Sequence, residues 1–215
     1  TPAKGKEMIL ATTTGTSATN RIEAMVRNAI YGIATAKSMG NKCPKVGILN
    51  VDGARQVEKC LKELKDNGYD MEFADSIRAD GGCVMRGNDL LVGAPDVMVT
   101  DTLSGNIFMK VFSSYTTGGD YEAQGFGYGP GVGEDYDRKV LIVSRASGSP
   151  VVANALKYAY DVVKGDISNV ARNEFAKVKK AKFDDIISSL TKKEVKAEKV
   201  EVKMPDKEIV TRSEE

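Results

Sequence analysis

The sequence predicts an α/β fold with three layers, α/β/α, in which helices cover both faces of a mainly parallel sheet. Two observations carry this. Apolar runs of strand length alternate with segments of helical period from residue 7 to residue 165. Four of the five runs are almost continuously apolar rather than alternating polar with apolar. A strand buried on both faces has that composition, and such strands run parallel beneath covering helices.

The elements follow in order. EMILATT, from Glu7 to Thr13, is the first strand. A helix over residues 20–39 follows, with Ile22, Met25, Val26, Ala29, Ile30 and Ile33 on one face. Asn20 ahead of Glu23 supplies the start, and Gly40 the stop. KVGILNV (Lys45 to Val51) is the second strand, and a helix over 54–67 buries Val57, Leu61 and Leu64. YDMEFAD reads as the third strand and DVMVT as the fourth, with a helix from Asn106 to Tyr115. KVLIVS (Lys139 to Ser144) is the fifth; its helix opens at Ser149-Pro150, a capping residue before a first-turn proline, and stops at Gly165. GFGYGPGVG, Gly125 to Gly133, fits no G-x-G-x-x-G register and precedes a strand, so it reads as a flexible loop rather than a dinucleotide turn.

This divides the chain into an α/β core over 1–165, a helical segment over 166–190 and a charged extension or linker over 191–215. The opening at Thr1 without a Met points to a fragment or a processed chain. Net charge is +1, which gives no electrostatic case for nucleic acid or an anionic membrane. No apolar run approaches the roughly 18 residues of a membrane span, and three cysteines at no framework spacing fit a reducing cytoplasm. The chain contains no histidine, which excludes Ser-His-Asp and Cys-His catalysis and any imidazole metal ligand. Neither a metal site nor a cofactor is expected.

Ligands of parallel sheets bind where strands end and helices begin. Three such junctions are rich in hydroxyls and glycine: TTTGTSATN (Thr12 to Asn20), TDTLSGN (Thr100 to Asn106) and SRASGSP (Ser144 to Pro150). Each offers N–H groups, hydroxyls and a helix N-terminus, which suits an anion, and Arg145 adds a guanidinium able to fork onto phosphate. The plainer reading of any one junction is helix capping.

These segments resemble a known family. ATTTGTS is similar to the S-x-S-T-G-T-S turn of phosphotransacetylases. TDTLSGNIFMK resembles their D-L-N-A-G-N-x-x-x-K segment and the C-D-G-F-T-G-N-x-x-L-K segment of the fatty-acid/phospholipid-synthesis acyl-phosphate enzymes. SRASGSPVVANAL matches the L-S-R-G turn of the first group and the S-H-G-S-S turn of the second, and the longer run from Gly125 to Ala159 is similar to the component C alpha subunits of glycine/sarcosine/betaine reductases. The resemblance implies an isocitrate/isopropylmalate-dehydrogenase-like (phosphotransacetylase-like) fold lacking its first third. It also implies transfer of an acetyl group from a thioester to inorganic phosphate, giving acetyl phosphate. Implied partners are phosphate, the thioester, the component C beta subunit and selenoprotein A, with a homo-oligomer possible. Arg145-Ala146 replaces the His-Gly of the phospholipid enzymes, which favours small acyl groups.

On this basis Asp101, Arg145 and Ser144 are the expected catalytic residues, Asp101 managing a proton. Phosphate or substrate would be held by Thr14, Gly15, Thr16, Ser17, Ser104, Gly105, Asn106, Lys110 and Ser147, with the Gly105 and Asn106 N–H groups facing an oxyanion. A salt bridge is an equally good use of Lys110. Cys83, in a glycine-rich loop near Arg78 and Arg86, is a candidate thiol; Cys60 reads as a small buried hydrophobe. Two other functions fit the same fold: a nicotinamide-dependent dehydrogenase, which would want a carboxylate cluster for metal, and a non-catalytic assembly subunit.

Overall fold

The computed structural model describes residues 2–3, 6–12, 18–133 and 136–190. The expected phosphate-turn residues Thr14, Gly15, Thr16 and Ser17, and the charged stretch 191–215, lie outside the described residues. In chain order the elements are β1 (Pro2–Ala3), β2 (Lys6–Glu7), β3 (Ile9–Ala11), α1 (Arg21–Ser38), β4 (Lys45–Leu49), α2 (Ala54–Asp66), β5 (Glu72–Phe73) and β6 (Val84–Met85). They continue with α3 (Gly87–Val92), β7 (Val97–Val99), α4 (Thr102–Thr117), β8 (Tyr128–Gly133), β9 (Tyr136–Ile142), α5 (Ser149–Lys164) and α6 (Ile167–Lys180), and residues 183–190 are also helical.

The main sheet is parallel at every pairing, in the order β3-β7-β4-β5, with β6 also beside β4. Its two faces are separated by the strand period of two. Val97 and Val99 of β7 pack with Met25, Ile30, Ile33 and Leu61 from α1 and α2 and with Phe175 of α6. Met98 points the other way, into a smaller cluster with Met8, Leu49 and Met85 that Leu90 and Phe108 cover. Helices therefore lie on both faces, as the apolar runs predict. Burying each large aliphatic side chain contributes roughly 1.5–3 kcal/mol, so the α1–α2–α6 face dominates the core.

The fifth predicted strand is a correction. KVLIVS does lie in a strand, β9, but β9 pairs antiparallel with β8 and does not join the parallel sheet. Its partner is the glycine-rich run read from sequence as a flexible loop. Glycine is what permits this pairing: Gly129 has φ +152°, and a Cβ there would meet the Val140 carbonyl oxygen at 2.8 Å. A run chosen for close backbone approach has no side-chain alternation to reveal it as a strand.

The helix after β7 also begins earlier than the sequence reading places it. Asp101 caps α4 by accepting the Ser104 N–H at 2.9 Å, so Thr102 to Gly105 form the first helical turn rather than a loop. The capping of α1 is as expected, with Asn20 accepting the Glu23 N–H at 3.0 Å.

The end of α5 is tied to the end of α1 through Gly165, where an added Cβ would collide with the Ser38 carbonyl. Gly165→Ala is expected to destabilise the chain by about 1–3 kcal/mol, as overpacking does. Urea unfolding measures this, and an unchanged midpoint would contradict the contact.

Candidate functional site

Among the described residues, the densest polar cluster at the predicted junctions centres on Glu122, which is 2% exposed. The chain leaves α4 at Gly118, and a single parallel bridge sets Glu122 beside Ser147. The Glu122 N–H donates to the Ala146 carbonyl at 2.7 Å, and the Gly148 N–H donates to the Glu122 carbonyl at 2.9 Å. These two backbone bonds lock the carboxylate under the 144–147 turn.

Four side chains then converge on one carboxylate. The Tyr128 hydroxyl donates to Oε1 at 2.6 Å. Oε2 accepts from the Ser144 hydroxyl at 2.7 Å, the Lys110 Nζ at 3.0 Å and the Ser147 hydroxyl at 3.1 Å. Lys110 also reaches Ser144 Oγ at 3.2 Å and lies 5.5 Å from the centre of the Tyr128 ring. The turn reinforces itself, because the Ser144 N–H donates to Ser147 Oγ at 2.9 Å and the Ala146 N–H to Ser144 Oγ at 3.1 Å.

The electrostatics follow from this geometry. Burial pushes the Glu122 carboxyl toward its neutral form, but the Tyr128, Ser144 and Lys110 donors outweigh it and hold the pKa below the usual glutamate range. For Lys110, partial burial works against the charge and Glu122 outweighs it, so the ammonium is held more firmly than usual. The pair, a buried carboxylate and a half-exposed ammonium, is neutral overall. Arg145 is exposed and makes no ion pair among the described residues, which leaves it as the surplus cation of the turn.

The expected site residues thus divide into two groups. Ser144, Arg145, Ser147 and Lys110 come together around Glu122. Asp101, Ser104, Gly105 and Asn106 sit at the start of α4, between one and about two and a half helical turns before Lys110, which lies in the middle of the helix. Asp101 accepts from both the Ser104 N–H and the Ser104 hydroxyl, the latter at 2.7 Å. Burial favours its neutral form, yet the Ser104 donors prevail and keep its pKa below the ordinary aspartate range. The Gly105 N–H donates to the Asp101 carbonyl at 3.2 Å within the helix, so it does not face an oxyanion. Gly105 instead leaves room for Thr12, whose hydroxyl donates to the Asp101 carbonyl at 2.9 Å. Asn106 is exposed.

Sequence reasoning missed Glu122 and Tyr128. Both lie in a glycine- and aromatic-rich stretch whose meaning depends on partners 12 to 25 residues away. The one local signal was an acidic residue in an otherwise charge-free run from Tyr121 to Gly133.

Tyr128 also lines a cavity of about 550 Å³ between the free edge of β3, α1 and the β8–β9 hairpin. Met109, Phe126, Val140 and Ile142 give it apolar walls. The cluster therefore has a chamber beside it large enough for a small-molecule arm.

Cys83 is not an activated thiol. It is buried, its Sγ lies 3.4 Å from Glu58 Oε1, and burial followed by the Glu58 charge pushes its pKa up to about 11. Arg78 turns instead to the Ser76 hydroxyl and the Gly81 carbonyl. Cys43 is the exposed cysteine. Alkylation by a small iodoacetamide probe at neutral pH should therefore label Cys43 first and Cys83 only on unfolding; early labelling of Cys83, read by peptide mass, would contradict this assignment.

Comparison with known proteins places this geometry in context. The chain is 63% identical over 212 residues to the glycine/sarcosine/betaine reductase complex component C subunit alpha of Peptoclostridium acidaminophilum, covering 98% of this chain and 55% of that protein. It is 34% identical over 100 residues to the phosphate acyltransferase of Fervidobacterium nodosum, covering 45% of this chain and 28% of the relative. It is 33% identical over 94 residues to that of Phenylobacterium zucineum, covering 41% and 25%. The chain spans about half the length of the first relative and about a quarter of the other two. A family model described as "Fatty acid synthesis protein" matches residues 1–212. On a match of that extent, the chain belongs to the fatty acid synthesis protein family.

Proposed function

We propose that this chain carries the phosphate-handling part of an acyltransferase-type subunit of an amino-acid reductase complex, and that the reaction passes an acetyl group from a thioester to inorganic phosphate. The observation that carries the reading is the 144–147 turn: buried Glu122, paired with half-exposed Lys110, fixes two serines, and the Arg145 guanidinium, with no ion-pair partner among the described residues, stands exposed beside them. The 63% identity to a component C alpha subunit and the local likeness to phosphate acyltransferases support the same assignment.

The chemistry divides among the residues as follows. A phosphate oxygen attacks the thioester carbonyl, the tetrahedral intermediate collapses, the C–S bond breaks and the thiolate leaves, yielding acetyl phosphate. Arg145 forks onto the incoming phosphate, a role suited to a planar guanidinium. Lys110 and Glu122 position Ser144 and keep the turn rigid, and the cavity beside Tyr128 receives the thioester's acyl end. The serine hydroxyls already donate to Glu122, so they act chiefly by orienting the turn.

Asp101 retains a proposed role in proton handling, and one substitution separates that from capping. Asparagine caps a helix as well as aspartate, so Asp101→Asn keeps the cap on the Ser104 N–H and exchanges the charge and the oxygen that accepts the Ser104 hydroxyl for an amide. If Asp101 handles a proton, acyl transfer falls by tenfold or more while the unfolding midpoint drops only slightly. If it only caps, the midpoint drops by the same small amount and acyl transfer holds.

The test of the function is acyl phosphate formation. The chain, assembled with its complex partners, is given an acetyl thioester and phosphate, and acetyl phosphate is trapped with hydroxylamine. Phosphate-dependent hydroxamate is expected. Its absence in an assembly that is otherwise competent for reductase turnover would favour a non-catalytic assembly role.

A further inference from the structure

We infer that the outer face of α4, with the neighbouring ridge of α5, is a docking surface for the part of the family's polypeptide that lies outside these 215 residues. The composition of α4 is the first ground. Among its sixteen residues only Lys110 is charged, and that ammonium is bound to Glu122 rather than left to solvate the helix. A helix that faced water along its length would carry charges there.

The second ground is the spacing of what α4 exposes. Leu103, Ile107, Val111 and Tyr115 recur every four residues and form one ridge, and Tyr115 is 93% exposed. Only Gly105 and Ser113 of this helix are buried. α5 repeats the pattern with Val152, Leu156 and Tyr160, where Leu156 is 70% exposed, although Val151, Ala155 and Val162 on its other side are buried. The two ridges flank the Glu122 cluster, since Lys110 belongs to α4 and the 144–147 turn leads into α5. A row of four exposed apolar side chains on one helix, with a second row of three on another, exceeds the scattered single apolar residues of an ordinary monomer surface.

The occupant is indicated by length. The match to the Peptoclostridium acidaminophilum relative covers 55% of that protein, leaving 45%, on the order of 170 residues, outside the matched region. That is a domain's worth of chain, enough to cover both ridges and roof the cluster between them. The inference stands on the surface and the unmatched length of the relative, and does not depend on which reaction the cluster performs.

The experiment co-expresses the 215-residue chain with the polypeptide corresponding to the unmatched part of that relative. Light scattering after gel filtration should show a 1:1 complex. Hydrogen exchange at residues 102–117 should slow at least tenfold relative to the chain alone. The double substitution Ile107→Asp, Tyr115→Asp should abolish the complex, while urea unfolding of the variant chain alone stays within error of the parent, because both side chains are exposed. The inference is overturned by any of three results: no co-eluting species, a complex that survives the double substitution, or a homodimer of the chain alone that already protects 102–117. The last would assign the face to a second copy.

Discussion

Glu122→Gln is expected to cost about 2–3 kcal/mol of stability and to lower acyl transfer on the order of a hundredfold. The substitution keeps the shape and removes the charge. Oε2 accepts from Ser144, Ser147 and Lys110 together, and a neutral amide oxygen holds an ammonium less strongly than a carboxylate does. A buried charge-assisted bond contributes roughly 1.5–3 kcal/mol, and losing one partner of a buried ion pair can cost 3–5. The lower figure applies because Lys110 is half-exposed and can turn back into water. Glu122→Ala should be worse, since all four donors lose their acceptor.

The same residue sets a pH signature. The folded pKa of Glu122 lies below its unfolded value, so its contribution is present above about pH 4.3, the ordinary glutamate value, and is lost as pH falls through the lower folded value. The variant should lack this part of the acid-side slope. Urea midpoints taken from pH 7 downward measure it, and parallel pH profiles for the two proteins would contradict the assignment of Glu122 as the charged hub.

Arg145→Ala should behave in the opposite way, with a large functional effect and almost none on the fold. The side chain is exposed and pairs with nothing among the described residues, so the core does not need it. A bidentate guanidinium–phosphate contact contributes about 1.5–3 kcal/mol, which corresponds to a ten- to hundredfold loss of phosphate affinity. Arg145→Lys should restore only part, because a point charge cannot reproduce the fork. Calorimetric titration with phosphate, set beside unfolding of each variant, separates this from a structural defect. Unchanged affinity in Arg145→Ala would remove Arg145 from the site.

The parallel sheet was readable because β4 and β7 have apolar side chains on both faces, a pattern that little else in a water-exposed chain explains. The start of α1 was readable for a local reason: Asn20 and Glu23 are three residues apart. The β8–β9 hairpin was not, because close backbone approach at Gly129 selects glycine and erases the strand period. That pairing moved the Ser144 turn off the edge of the main sheet, so it does not stand in a row with the junction after β7. Arg145, Ser144 and Lys110 could be chosen from their types, but Glu122 could not. Its role arises from a backbone bridge to Ser147, a contact across 25 residues with no local pattern.

The central claim is that phosphate binds at the Ser144–Ser147 turn, and the most direct measurement is a crystal structure of the chain soaked in phosphate, with Arg145→Ala soaked alongside. The account predicts phosphate within hydrogen-bond distance of the Arg145 guanidinium, above the Glu122–Lys110 pair, and its loss in the variant. Phosphate seated instead at the Asp101 end of α4, or held equally well without Arg145, would contradict it.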